Sequence, residues 1–175
     1  MSRRHAGQRH QRLWSVHLVV TLLAQLAALL AIVSSGVVYR TDTFCALVQR
    51  PALARVDDAT LTAIMGNVHR YGDRRMPAPG ILGLIAAATA SVIAAVAGHR
   101  AESATAGAAF LLLVGWVVLY LRISAPINRT LTTAADAHQT PANARALQRD
   151  WDRIIVPRAV LQGLAVATLG VSLIS

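Results

Sequence analysis

One arginine, Arg158, stands beside Pro157 at the start of a long uncharged stretch. One histidine, His69, follows Leu61, Ile64, Met65 and Val68, apolar residues at helical spacing. A histidine exchanges protons near neutral pH. A charge at the edge of hydrocarbon is functional by default, because placing it there is costly. His69 lies four residues after Met65, so the ring runs along the edge of the apolar stripe and not straight into water. A histidine there is expected to titrate near about 6.5, shifted by burial and by the Arg70 and Asp73 charges. Arg158 and Gln162 share a helix face at i, i+4, and so do His17, Thr21 and Gln25. In lipid such groups turn inward. The plain alternative for them is hydrogen bonding between helices, with Arg158 snorkelling to the interface.

Metal ligation is the other chemistry open to histidine. Six histidines are present. His5 and His10 lie in a basic tail, His99 falls in a turn, and no His-x3-His or His-x-His pair occurs. A metal site within the chain therefore requires His17, His69 and His138 to converge in space, with copper or iron as the candidate metal.

The elements that must position these residues are four uncharged stretches. They run from Leu13 to Tyr39, Met76 to His99, Ser103 to Leu121 and Ala159 to Ser175. Each holds roughly 17 to 27 residues, enough to cross about 30 Å of hydrocarbon as an α-helix. The expected fold is an all-α membrane four-helix bundle with short amphipathic helices in the two longer loops. Its spans fall at about 13–39, 77–98, 104–122 and 155–174, behind a basic tail over 1–12. The chain is 55% hydrophobic and 14% charged, and its net charge of +9 comes from seventeen arginines with no lysine. Flanking the spans, these arginines meet headgroups or a polar cavity, so nucleic-acid binding is not expected. The first stretch is too long for a signal-peptide core, and Val33-Ser34-Ser35-Gly36 is a poor cleavage site. Trp14 and Tyr39 read as its interfacial anchors. An even number of spans puts both termini on one side. The dense cluster from Arg3 to Arg12 makes that side the cytoplasm of a multi-pass plasma-membrane protein.

Finer signals place the loops. Asp57 or Asp58 caps the helix that carries His69, Gly72 ends it, and Pro77 and Pro79 open the second span. Pro126 and Asn128 close the third span. Thr140 and Pro141 read as N-cap and N1 of the last helix, where Pro157 is expected to impose a kink. Asp42, Asp57, Asp58, Asp73, Asp136, Asp150 and Asp152 read as loop charges. Gly80, Gly83, Ala86 and Ala90, with Gly107 and Gly115, supply close packing. Cys45, the single cysteine, reads as a buried small hydrophobe.

Several pieces in order resemble one family: Gly36, Arg50-Pro51-Ala52-Leu53, Asp73-Arg74-Arg75-Met76-Pro77, Pro126-Ile127-Asn128, and Trp151 followed by Arg158 after six intervening residues. Together they look like the small four-helix membrane proteins that include the fungal anthrone oxygenases, over about residues 14 to 175. The resemblance implies a monooxygenase-type oxidoreductase that oxidises a small hydrophobic aromatic, polyketide-type substrate with molecular oxygen, with no cofactor required. It implies His69 as base, Arg158 and Arg75 as oxyanion partners, Asn128 as a donor to substrate, Trp151 as a stacking wall, and Asp73 orienting His69. Such chemistry needs proton removal from an acidic carbon and positive charge for the resulting enolate.

One departure stands out. The family commonly carries a histidine at the position of Ile155. This keeps a non-catalytic alternative open, as a lipid- or quinone-binding protein or a subunit of a homo-oligomer or larger membrane complex. A copper- or iron-dependent oxygenase is the third reading.

Overall fold

Small residues set how closely the spans approach one another, and the bundle is built around them. The computed structural model describes residues 2–174, with side chains from residue 17 onward, and among these there is no strand. The side chains of the basic tail over 1–12 and of Trp14 lie outside those described. Helix α1 (Ser2–Phe44) continues through a π-helical turn (Cys45–Gln49) into α2 (Arg50–Leu53). A surface helix, α3 (Asp58–Arg75), leads into α4 (Pro77–Val96). Then α5 (Arg100–Leu119) passes through a second π turn (Tyr120–Ser124) into α6 (Ala125–Asp136), and α7 (Ala144–Ser172) completes the fold. Four of these rods are long and apolar enough to cross a membrane: His17–Leu53, Pro77–Val96, Arg100–Asp136 and Ala144–Ser172. The chain is an all-α membrane protein of the expected class.

The spans form a ring in which α1 and α5 each touch both α4 and α7, while α3 and α6 pack on each other across one end. Close approach is visible at Gly83, where an added Cβ would meet Ser35 Oγ at 2.5 Å, and at Gly107, against Ser91 Oγ. Without a hydrophobic force between helices in lipid, such small-residue contacts provide the packing. One apolar core joins Ala28, Ala31, Ala87, Ala109 and Leu169 across the spans. A second joins Leu61, Met65, Leu131, Trp151 and Ile155 beneath the α3–α6 cap. Along the chain, the buried polar residues Asp42, Ser124, Arg158 and Gln162 fall between the segments that build these two cores.

Several boundaries differ from the sequence expectation. Pro126 does not close the third span, and Asn128 lies inside α6. A proline cannot donate to the carbonyl four residues back, and its ring crowds it. The chain answers by widening: Ala125 N–H bonds to Tyr120 C=O, and Arg50 N–H, just before Pro51, bonds to Cys45 C=O. Tyr39 is therefore not at the end of a span; its ring packs against Gly163. Helix α3 runs past Gly72 to Arg75, and the last helix starts after Asn143, not at Pro141. Pro157 lies inside α7 with helix on both sides. Asp57 does cap α3, accepting from Thr60 N–H at 2.7 Å, and this bond holds its carboxyl below the usual carboxylate range.

Candidate functional site

A buried polar contact joins the first and last spans. Asp42 on α1 accepts from Arg158 at 2.8 Å, from Gln162 at 2.6 Å and from the Trp116 indole at 3.1 Å. Arg158 also donates to Ser124 Oγ at 2.7 Å, and its guanidinium lies over the Trp116 and Tyr120 rings at 5.7 and 5.6 Å. The i, i+4 face of Arg158 and Gln162 is thus real, and both side chains serve one carboxylate. Asp42, read as a loop charge, is a buried member of the bundle. Its helix runs on past Tyr39, and this carries it inward.

Beside this pair lies a cavity of about 440 Å³, mostly apolar, bounded by α1, α3, α4, α5, the second π turn, α6 and α7. His69 and Trp151 line it together, their rings 5.6 Å apart and tilted by 53°. The stripe on α3 that faces inward is Leu61, Met65 and His69 with Thr62 and Gly66, whereas Ile64 and Val68 face outward. The α3 helix reaches α6 closely because Gly66 has no side chain; a Cβ there would meet Leu131 C=O at 2.6 Å. His69 is consequently 4% exposed. Burial, and secondarily the Arg158 charge, push its pKa down to about 3, so the ring is neutral and titration near 6.5 is not expected of it. Arg70, expected to tune it, is instead paired with Asp136.

Four buried polar atoms here have no hydrogen-bond partner: His69 Nε2, Asn128 Oδ1, Trp151 Nε1 and Arg158 Nε. Buried polar groups are nearly always satisfied, and all four of these residues line the cavity. They form a hydrogen-bonding set of two N–H donors, one carbonyl acceptor and one imidazole.

The structure brings His69, Arg158, Asn128, Trp151 and Asp73 to one cavity, with corrected roles. Asp73 does not orient His69; it accepts from Tyr120 OH and Asn128 Nδ2, each at 2.9 Å. One N–H of the Asn128 amide is so engaged, and its Oδ1 is the atom left without a partner. Trp151 offers an indole N–H as well as a ring. Arg75 does not belong to the site: it is exposed, with its guanidinium over the Tyr71 ring. His17 is exposed on α1, and His138 is exposed in the turn after α6 with a φ of 53°. Among the described residues no three His, Cys, Asp or Glu side chains gather as metal ligands, so His17, His69 and His138 do not converge. Cys45 is buried and free, as expected of a small hydrophobe. Thr21 is spent on its own helix, donating to His17 C=O.

Asp42, Trp116, Tyr120 and Ser124 were not singled out as site residues from sequence. The available signal was charge balance: an arginine facing the bundle interior calls for an acid on another span, and Asp42 is the acid nearest the end of the first apolar run.

The fold and cavity define a four-span helical membrane protein with a largely apolar cavity at one end of its bundle. Comparison with protein-family models, curated proteins and solved structures finds no match to this chain.

Proposed function

We propose that this protein is an anthrone oxygenase-like membrane enzyme that oxidises a small, lipid-soluble aromatic molecule with molecular oxygen. The observation that carries this reading is the neutral, unpartnered His69 Nε2 in an apolar cavity beside Trp151. A free imidazole with so low a pKa is a weak base toward water, because imidazolium would be stranded in a dry site next to Arg158. An enolate formed in the same cavity changes that balance, since the pair then carries no net charge. His69 takes a proton from an acidic ring-flanked CH2, and the enolate oxygen accepts from Arg158 Nε–H and Trp151 Nε1–H. The carbanion passes an electron to O2, a C–O bond forms to give a hydroperoxide, and loss of water leaves a ketone. The balance is CH2 plus O2 to C=O plus H2O.

The enzyme resides in the plasma membrane with both termini cytoplasmic, a reading supported by the arginine cluster at the N-terminus. The test of function is oxygen uptake by the purified protein given anthrone, with His69→Ala alongside. Uptake by the wild type and a loss of about 100-fold in the variant are expected. Equal uptake in both overturns the assignment.

A second reading, a non-catalytic carrier of the same ligand, is favoured by Ile155. This side chain is fully buried in the apolar core where the resembled family has a histidine, and Asp42 already offsets the Arg158 charge. Ligand binding without oxygen uptake would select it.

A further inference from the structure

The cavity has a rim of a particular kind. Four of its lining residues are also exposed on the outer side of the bundle: Val68 on α3 at 42%, Ile81 on α4 at 57%, Leu121 in the second π turn at 59%, and Thr41 on α1. A residue that both lines a cavity and faces outward marks its mouth; three of these are aliphatic, and the Thr41 hydroxyl already donates to Val37 C=O of its own helix. Gly72 lines the same cavity, and a Cβ added to it would meet nothing within 4 Å, so α3 leaves open space there. Near this mouth in the chain stand the exposed arginines Arg74, Arg75 and Arg122. Arginines snorkel to the headgroup boundary, which sets the mouth just inside the hydrocarbon.

The lining charges point the same way. Only Asp42, Asp73 and Arg158 carry formal charge; Asp42 and Arg158 are paired, and Asp73 already accepts two hydrogen bonds. An anionic ligand would shed its hydration at this rim and find no unmatched positive charge inside, and a cationic one would do so for Asp73 alone, whose carboxylate already accepts two hydrogen bonds.

We propose that the ligand enters sideways from the bilayer, uncharged, through an opening between α3, α4 and the Tyr120–Ser124 turn. The proposal rests on the reading of this cavity as a ligand site, and not on the oxidation chemistry. Its polar end meets His69, Asn128 and Trp151, and its apolar remainder passes Ile81 and Leu121 toward the acyl chains.

The experiment uses the full chain in lipid nanodiscs and follows tryptophan emission in stopped flow, since Trp116 and Trp151 both line the cavity. The probes are 9,10-anthraquinone, which has no acidic carbon and so binds without turnover, and its permanently charged 2-sulfonate. Anthraquinone should quench and the sulfonate should not. Gly72→Phe should slow both association and dissociation by about tenfold or more while leaving the final extent of quenching within about twofold. Ile81→Phe, a change on an already exposed residue, should act in the same direction. Unchanged rates in both variants, or equal quenching by the sulfonate, overturn the lateral route. Absence of quenching by either probe overturns the route and the ligand site together. Anthraquinone quenching without oxygen uptake from anthrone removes the oxidation reading alone.

Discussion

Asp42 and Arg158 are 116 positions apart in the chain and meet at 2.8 Å inside the bundle, each almost fully buried. The contact ties the first span to the last at the level of the cavity. It also fixes the face that Arg158 turns to a ligand, since two of its three nitrogens are held by Asp42 and Ser124.

Breaking one side of this pair strands the other charge, at a cost of about 3 to 5 kcal/mol. Asp42→Asn and Arg158→Met should each lower the thermal midpoint in detergent sharply. The double variant should be more stable than either single one, because the new amide oxygen still accepts from Trp116 and Gln162 and no charge is left unpaired. Losses that add in the double variant would show that the two residues act independently.

His69 gives a pH dependence opposite in kind to that of an exposed histidine. Its folded pKa of about 3 lies below the unfolded value of about 6.5, so between these limits the unfolded chain binds a proton that the folded chain does not. This contribution to stability is present above about 6.5 and is lost as pH falls toward 3, by about 1.4 kcal/mol per pH unit midway. Denaturation between about pH 6.5 and 4 should be steeper in the wild type than in His69→Phe. Wild-type turnover, by contrast, should show no inflection near about 6.5 from this histidine.

Trp151→Phe deletes one indole N–H that has no partner and keeps most of the ring. Stability should hold or rise, because an unsatisfied buried donor is removed. Affinity for anthraquinone, measured by equilibrium quenching of Trp116, should fall about tenfold, the value of one hydrogen bond of roughly 1.4 kcal/mol. Unchanged affinity would place the ligand carbonyl elsewhere.

Four spans require that a reporter fused after Arg100 and one fused after His138 face opposite sides of the membrane. Reporter activity and glycosylation tagging at the two points measure this. Identical sides at both would remove the four-span topology.

The spans were legible because hydrocarbon thickness imposes a length and a composition that about 20 consecutive residues can meet in few other ways. The cap at Asp57 was legible from local hydrogen-bonding geometry, and the inward face of Arg158 and Gln162 from helical spacing. The partner of that face was not. Charges near span ends read as loops, and only the continuation of α1 beyond Tyr39 turns Asp42 inward. The same cause misplaced Asn128: a proline usually ends a helix, and nothing local to Pro126 says that the chain will widen instead. Roles failed where a side chain has two ends. Asn128 and Asp73 both reach the cavity, yet which atoms they leave free depends on their bond to each other and, for Asp73, on Tyr120, brought in from another helix.

The two π turns have a consequence for counting. Each closes on the fifth residue instead of the fourth, so every side chain beyond it is rotated by about 100° from the face that uninterrupted α-helix would give it. Deleting one residue between Tyr120 and Ser124 would hardly shorten the chain but would swing Ile127, Asn128 and Leu131 off their neighbours. Deleting a second residue from Cys45–Gln49 could not undo this, because that turn lies on a different rod and steers different side chains. At these two places the number of residues, more than their identity, carries the instruction.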